Sequence, residues 1–295
     1  MSADAPAQTS VDNLLDVLDL DESQARTTED IFTGRSHSMP TGRIYGGQVL
    51  GQSLLAAERT MPADRAVHSM HGYFLRPGDS SLGVTIAVDR IHDGRSFSTR
   101  RAQAYQNGVP IFSMIASFQD EAPGVEHAEP MPADVPQPEE LASDERLLGG
   151  ADTGALRMLS ERPVDMRHVQ TPIYLAADGD RAAHQAVWMR LRAPMPDDQR
   201  LHRAALAYLS DMTIQESILR AHGIHWSTPG LRVASLDHAM WWHRPARVDE
   251  WMLYVQQSPN ARGGRGLATG RIYTRDGVLA ASVSQEIMIR VPEVR

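Results

Sequence analysis

Hydrophobic spacing predicts one long helix in each half of the chain, over residues 46–61 and 203–223. Apolar and small side chains recur there every three or four positions, so they share one helical face. They are Val49, Leu50, Ser53, Leu54 and Ala57 in the first segment, and Leu206, Leu209, Ile214, Ile218 and Leu219 in the second. Gly223 is placed to end the second helix.

The segments that follow each helix are typical of β-strands joined by tight turns. Residues 279–289 alternate with period two, which places Val283, Gln285, Ile287 and Ile289 on one face. Two dipeptides, Asn107-Gly108 and Asp276-Gly277, predict two-residue hairpins at corresponding places in the two halves.

The strand-rich segments form an internal repeat. The segment HSMHGYFLRPGD at 68–79 resembles LDHAMWWHRPARVDEW at 236–251. Arg76 and Arg244 are 168 positions apart, and Tyr105 and Tyr273 keep the same separation. Each repeat therefore predicts an antiparallel sheet covered by one long helix. A curved sheet wrapped around one helix is a hotdog domain, so we expect an α+β protein of the double hotdog type.

The composition places the domain boundaries. Residues 121–165 begin with a stretch rich in Pro, Glu and Ala without a period, which is typical of a linker. We expect an N-terminal hotdog domain over 11–120, starting with a short amphipathic segment at 11–18. The C-terminal hotdog domain covers 166–295 and carries the candidate catalytic residues, while residues 1–10 are expected to be a disordered tail.

The composition also excludes several kinds of chemistry. The chain has no cysteine, which rules out disulfides, thiolate metal sites and a cysteine nucleophile. All 29 basic residues are arginine, which rules out a Schiff-base lysine or a P-loop lysine. A net charge of −8 argues against nucleic acid as a partner.

No apolar run approaches the roughly 18 residues that a membrane-spanning helix needs. The first ten residues, MSADAPAQTS, lack a basic region followed by an apolar stretch. We therefore expect a cytoplasmic protein without membrane insertion.

Arginines cluster at two places, Arg95, Arg100 and Arg101 in the first half and Arg262, Arg265 and Arg271 in the second. Two interpretations stay open for them. They can be solvated faces of strands and loops, or they can form an entrance for a phosphate-bearing ligand, because Arg matches phosphate geometry.

Three polar residues of the second repeat lie where the pattern expects apolar ones. Asp211 shares the apolar face of the predicted helix, Gln285 lies among apolar residues of the last strand, and Ser235 lies in the strand VASLDHAM. A buried carboxylate is costly unless it is paired or functional. Each residue alone is also compatible with a structural role: a partly exposed acid, a sheet-edge amide and an ordinary strand serine.

The remaining candidates are weaker. His68 and His71 would point to opposite faces of a strand, and neither this pair nor His222 and His225 has an obvious further ligand, so no metal is expected. His238 is expected to satisfy a local strand hydrogen bond. Nucleophile-elbow, dinucleotide-binding and zinc-protease motifs do not occur in the sequence.

Eight motifs together resemble acyl-CoA thioesterase II, the TesB-type family, over residues 11–290. They are RIYGGQVLGQSLLAA, VHSMHGYFLRPGD, DGRSFSTRR, QNGVPIFSMIASFQ, SLDHAMWWHRP, DEWMLY, ARGGRG and TRDGVLAASVSQE. The resemblance implies a double hotdog fold and a thioester hydrolase (EC 3.1.2 class). This enzyme would convert fatty acyl-CoA to free fatty acid and CoA without a cofactor.

The resemblance also assigns roles to the three polar residues. It implies that Asp211, Ser235 and Gln285 activate the attacking water, with Asp211 as the base. Ser235 departs from the family, where this position is commonly Thr; the hydroxyl is kept, but its rotamer is less restricted without the methyl group.

Two other functions stay open as alternatives, and the protein is expected to form an oligomer. A non-catalytic acyl-CoA binding module would keep the fold without turnover. A double-hotdog enoyl-CoA hydratase would need a D-x-N-P-x-H motif, whereas MTIQE follows Asp211. Since hotdog domains commonly associate, we expect a homo-oligomer, a dimer or higher.

Overall fold

The computed structural model describes residues 5–22, 29–39, 41–147 and 162–292. Its helices are α1 (Ala5–Leu18), α2 (Gly46–Arg59), α3 (Asp144–Leu147), α4 (Gln199–Ser210) and α5 (Glu216–Ala221). A short 3₁₀ turn covers Pro138–Glu140. In the described ranges, no helix is long and apolar enough to cross a membrane.

The strands of the first half are β1 (Asp21–Glu22), β2 (Asp30–Gly34), β3 (Arg65–Phe74), β4 (Val84–Asp93), β5 (Phe97–Gln106) and β6 (Val109–Asp120). Those of the second half are β7 (Val164–His168), β8 (His184–Leu191), β9 (Arg232–Ser235), β10 (Asp237–Trp242), β11 (Met252–Arg262), β12 (Arg265–Thr274) and β13 (Leu279–Arg290). Together they form one 13-stranded antiparallel sheet in the described part of the chain.

The strand order shows the internal repeat directly. It runs β1-β2-β4-β5-β6-β3-β10-β13-β12-β11-β8-β7, with β9 paired to β13 in addition. From the centre outward, the strands of the two halves follow one another in equivalent order. The halves meet where β3 pairs antiparallel with β10, with Met70 opposite Met240. The predicted α+β double hotdog is confirmed.

Helices α2 and α4 lie side by side under this sheet. Gly51 of α2 lies directly against the backbone of Ala204 in α4; a methyl group at Gly51 would lie 2.9 Å from the Ala204 carbonyl oxygen. Leu50 and Leu54 of α2 are fully buried. Each such leucine stabilises the fold by about 1.5–3 kcal/mol, so the helix pair forms the centre of the core.

The first hairpin has the predicted form and the second does not. Asn107 and Gly108 both have positive φ, 50° and 75°, and they alone join β5 to β6. Between β12 and β13 the loop has four residues, 275–278, and only Gly277 has positive φ. Thr274 closes this longer loop, because its backbone N–H donates to the Val278 carbonyl at 2.9 Å.

Helix α1 begins at Ala5, six residues before the amphipathic segment predicted from the sequence. Residues 5–10 are therefore helical rather than a disordered tail, and residues 1–4 lie outside the described part. Val11 and Leu14 of this helix are buried in the main core, and this packing stabilises the helix beyond its own propensity. Strand β7 begins at Val164, inside the segment expected to be linker.

Candidate active site

The second predicted helix is broken at the candidate base. Helix α4 ends at Ser210 and α5 starts at Glu216, so the single helix predicted over 203–223 is wrong. Asp211 is the C-cap residue of α4 rather than a residue within a helix. The 211–215 turn projects the Asp211 side chain toward the sheet, where it is 4% exposed.

Two tyrosine hydroxyls satisfy the backbone carbonyls at the end of α4. Tyr45 donates to the Tyr208 carbonyl at 2.9 Å, and Tyr254 donates to the Ser210 carbonyl at 3.0 Å. The last carbonyls of a helix have no partners within it. These contacts therefore explain why α4 can end in the protein interior.

The buried side-chain amides of Gln185 and Gln256 hold the 211–215 turn by hydrogen bonds. Gln256 on β11 donates to the Thr213 hydroxyl at 2.6 Å, and Gln185 on β8 donates to the Thr213 carbonyl at 3.1 Å. The same Gln185 amide nitrogen lies 2.6 Å from Gln256 Oε1 and 3.1 Å from the Glu216 carboxylate, so its two hydrogens are shared among three acceptors. All four side chains are buried, so the turn that carries the candidate base is held from the sheet side.

Ser235 lies at the end of β9, where the strand predicted over VASLDHAM is interrupted. Leu236 separates β9 from β10, and both strands pair with β13, β9 near Ile287 and β10 near Val283. Glu286 marks the irregularity on β13, because its backbone N–H donates to the Asp237 carboxylate at 2.7 Å. The interruption directs the Ser235 hydroxyl to Asp211.

The structure brings the three sequence-predicted residues together. The Gln285 amide nitrogen donates to Asp211 Oδ1 and to Ser235 Oγ, both at 2.8 Å. The Ser235 hydroxyl donates to the same Asp211 oxygen at 3.0 Å. These bonds close a triangle in which Asp211 Oδ1 accepts twice, leaving Oδ2 on the far side.

The N-terminus of α2, from the first repeat, faces that second oxygen. A methyl group at Gly46 would lie 2.6 Å from Asp211 Oδ2 and 3.2 Å from the Phe74 ring. The backbone N–H of Gly47 donates to the Asp211 carboxylate. Gly46, Phe74 and Ser235 are half-buried, so the site reaches the surface on this side and combines residues of both repeats.

Burial controls the charge of the candidate base. It raises the pKa of Asp211 to about 6, because an ionised carboxylate loses hydration there. Hydrogen bonds from Gln285, Ser235 and Gly47 oppose this effect, because they stabilise the ionised form. Asp211 can therefore exchange a proton near neutral pH, as a general base must.

His238 lies behind the triangle and is fully buried. Its Nδ1 contacts Gln285 Oε1, and its Nε2 is 3.0 Å from the Ser210 hydroxyl. Burial lowers the pKa of His238 to about 4, so the ring is neutral at physiological pH. The expected local strand hydrogen bond is instead a contact with the candidate site.

Four of the six clustered arginines are paired with carboxylates. Arg100 is buried and bound to Asp93 at 2.8 Å, so it cannot serve a phosphate entrance. Arg101, Arg265 and Arg271 each pair with a carboxylate. The solvated or internally paired interpretation fits these four.

The histidine pairs are not arranged as metal sites. His68 contacts Ser117 at 2.9 Å, and His71 packs edge-on against Trp241. In the described ranges, no three His, Cys, Asp or Glu side chains are grouped as metal ligands.

Sequence reasoning missed Tyr45, Gly46 and Tyr254, and it gave His238 only a local strand hydrogen bond. The consecutive glycines 46 and 47 at a predicted helix start were a usable signal, because glycine permits close backbone approach at helix N-termini. The tyrosines and His238 gave no such signal, since their contacts join residues far apart in the chain.

Comparisons with known proteins agree with this fold and show the family. The acyl-CoA thioesterase model matches residues 159–288, and the acyl-CoA thioesterase N-terminal domain model matches residues 35–119. Human acyl-coenzyme A thioesterase 8 is 40% identical over 280 residues, covering 90% of this chain and 86% of the human protein.

Solved structures give the same result. The crystal structure of acyl-CoA thioesterase II TesB2 from Mycobacterium marinum has a TM-score of 0.78 and 42% identity, covering 96% of this chain and all of that one. A hotdog-fold protein of unknown function from Alicyclobacillus acidocaldarius, 18% identical, shares the fold with a TM-score of 0.76, covering 95% of this chain and 98% of that one.

Proposed function

Because this chain belongs to the acyl-CoA thioesterase II family and is a thioester hydrolase, we propose that it hydrolyses fatty acyl-CoA through a water activated by Asp211. The products are free fatty acid and CoA. The observation that carries this proposal is the convergence on one buried carboxylate of a serine, a glutamine and a helix N-terminus.

Asp211 acts as the general base. Its Oδ1 is occupied by Gln285 and Ser235, so Oδ2 is the oxygen that can accept a proton from water. The water oxygen attacks the thioester carbonyl carbon while its proton passes to Asp211. The tetrahedral intermediate then expels the CoA thiolate, which takes that proton from the Asp211 carboxyl group.

Ser235 and Gln285 orient the base and the water. Both donate hydrogen bonds to Asp211 and keep the ionised carboxylate from being prohibitively costly in the interior. When substrate and water enter, the same hydroxyl and amide are within reach of the attacking water. Positioning of this kind accounts for a large part of enzymatic rate enhancement.

The N-terminal turn of α2 favours the ionised form of Asp211. Backbone N–H groups at a helix N-terminus favour negative charge, and Gly46 and Gly47 lie against the Asp211 carboxylate. A thioester is less resonance-stabilised than an amide, so this site, with an activated water, suffices without a metal or other cofactor.

Two assays distinguish this function from its alternatives. The purified chain should release free thiol from a saturated acyl-CoA such as palmitoyl-CoA. Saturable binding of palmitoyl-CoA without thiol release would favour a binding module. Loss of the enoyl absorbance of crotonyl-CoA without thiol release would favour a hydratase.

Assembly into a homo-oligomer and the division into domains at 11–120 and 166–295 stay predictions. Light scattering on the purified chain gives the particle mass, for which twice 32.6 kDa or a higher multiple is expected. A monomeric mass would contradict the first prediction.

A further inference from the structure

We propose that His238 is a positioning residue that fixes the orientation of the Gln285 amide, and that Ser210 holds the His238 ring in the form that does so. This inference rests on the proposed function, because it concerns how the Asp211 site is kept ready. His238 and Ser210 lie behind Gln285, one step further from Asp211 than the residues that contact it.

The contacts form a continuous buried chain. The Ser210 hydroxyl lies 3.0 Å from His238 Nε2, and His238 Nδ1 contacts Gln285 Oε1. Gln285 Nε2 then reaches Asp211 and Ser235, at 2.8 Å each. Ser210, His238 and Gln285 are each 0% exposed, so solvent cannot substitute for a lost contact.

The chemistry of the groups assigns the protons. An amide oxygen only accepts hydrogen bonds, so His238 Nδ1 carries the hydrogen that Gln285 receives. A neutral ring then has an unprotonated Nε2, which can only accept. The Ser210 hydroxyl therefore donates to His238 and shares its single hydrogen between Nε2 and the Ala207 carbonyl, which is 2.8 Å away. The low pKa of the buried His238 ring agrees with this neutral form.

The need for such a device follows from the symmetry of the amide group. Its nitrogen and oxygen ends have nearly the same shape, so packing alone does not choose between two orientations of Gln285. In the wrong orientation the amide oxygen would face the Asp211 carboxylate and both donated bonds would be lost. A donor at His238 Nδ1 stabilises only the productive orientation.

The chosen orientation also sets the direction of the next bond. Since Ser235 Oγ accepts from Gln285 Nε2, the Ser235 proton is free to point at Asp211 Oδ1. All donors in the chain thus point toward Asp211 and stabilise its ionised form. Loss of His238 should therefore raise the pKa of Asp211 as well as slow turnover.

The test compares His238→Leu with His238→Asn, because an asparagine nitrogen can take the place of Nδ1 whereas leucine has no donor. Thiol release from palmitoyl-CoA is measured against pH, and circular dichroism with thermal melting monitors the fold. We expect His238→Leu to lower kcat at least 30-fold, to change KM less than threefold and to move the acid limb of the kcat profile upward. The decrease in log kcat relative to wild type should be at least one third smaller in His238→Asn than in His238→Leu.

Equal losses in the two variants, or a loss of kcat without movement of the acid limb, would overturn the proposal in favour of a merely structural histidine. Asp211→Asn distinguishes this failure from failure of the proposed function. If Asp211→Asn abolishes turnover while His238→Leu behaves as wild type, only the present inference is wrong.

Nitrogen-15 NMR of the unaltered chain provides a readout that does not depend on variant folding. The His238 signals are assigned by their absence in His238→Asn. A protonated Nδ1 with an unprotonated Nε2 is the expected result. A ring protonated on Nε2 alone would overturn the proposal. Ser210→Ala should then weaken the Nδ1–H preference and lower kcat about three- to tenfold.

Discussion

The side-chain amide nitrogen of Gln285 lies 2.8 Å from the carboxylate of Asp211, although 74 positions separate the two residues in the chain. Gln285 lies on the buried face of strand β13, between Val283 and Ile287. Asp211 lies at the break between helices α4 and α5. Neither residue has this geometry without the fold, so the candidate site is a product of tertiary structure.

The pH dependence of turnover reports the charge of Asp211. Since the base must be ionised and its pKa is about 6, kcat/KM should fall as the pH drops through about 6. Ser235→Ala removes a hydrogen bond that lowers this pKa, so its acid limb should move upward by roughly half to one pH unit. Rate measurements between pH 4.5 and 8.5 check this, and an unmoved limb would show that Ser235 does not act on Asp211.

Asp211 should cost the fold stability when it is ionised. Its pKa rises from 3.8 to about 6 on folding, so the folded state binds the proton more tightly and stability is lost as the pH rises through this range. Between pH 3.5 and pH 8, the free energy of unfolding of Asp211→Asn should therefore increase by about 3 kcal/mol relative to that of wild type. Urea unfolding at both values measures the gain; an equal difference at both would contradict the raised pKa.

Ionisation of Glu58 in α2 should also reduce the stability of the fold, at a higher pH than ionisation of Asp211. The carboxylate oxygens of Glu58 are buried without hydrogen-bond partners, and burial raises its pKa from 4.5 to about 8. Its contribution to stability is therefore present at low pH and lost as the pH rises to about 8. Glu58→Gln should reduce the loss of stability between pH 5 and pH 7 by about 2–3 kcal/mol. Urea unfolding checks this, with the exposed Glu121→Gln as a control expected to behave as wild type.

The glycine at the start of α2 should be essential for turnover rather than for folding. In Gly46→Ala the new methyl group would lie 2.6 Å from Asp211 Oδ2, so the carboxylate must move away from its productive position. A displacement of about 1 Å at a catalytic group costs on the order of 100-fold in rate. Gly124→Ala, where a methyl group meets open space, is the matched control. Normal turnover in Gly46→Ala would show that this approach is not needed.

The sequence was sufficient for features that local pattern determines. Helical periodicity predicted α2 over 46–61, observed at Gly46–Arg59. The repeated Arg-Pro and Tyr positions predicted two equivalent sheets; the strand order contains two equivalent halves, which the pairing of β3 with β10 joins into one sheet. Period-two alternation predicted that Gln285 shares a buried face with Val283 and Ile287, and all three are buried.

The sequence was insufficient where long-range contacts override local pattern. The apolar spacing of 203–223 continues through Asp211, yet the helix stops there because Tyr45, Gln185 and Gln256 satisfy the freed backbone and side chains. His238 is likewise a plain strand residue until Ser210 and Gln285 are placed beside it. Hydrogen-bond partners more than 20 positions away cannot be inferred from periodicity.

The most direct test of the account is thiol release from palmitoyl-CoA by wild type, Asp211→Asn and the exposed control Asp64→Asn, at pH 8 with the fold monitored by circular dichroism. Loss of a general base costs roughly 10²- to 10⁴-fold, so Asp211→Asn should lose at least 100-fold in kcat while remaining folded, and Asp64→Asn should match wild type. Turnover by folded Asp211→Asn at the wild-type rate would contradict the assignment of Asp211 as the base.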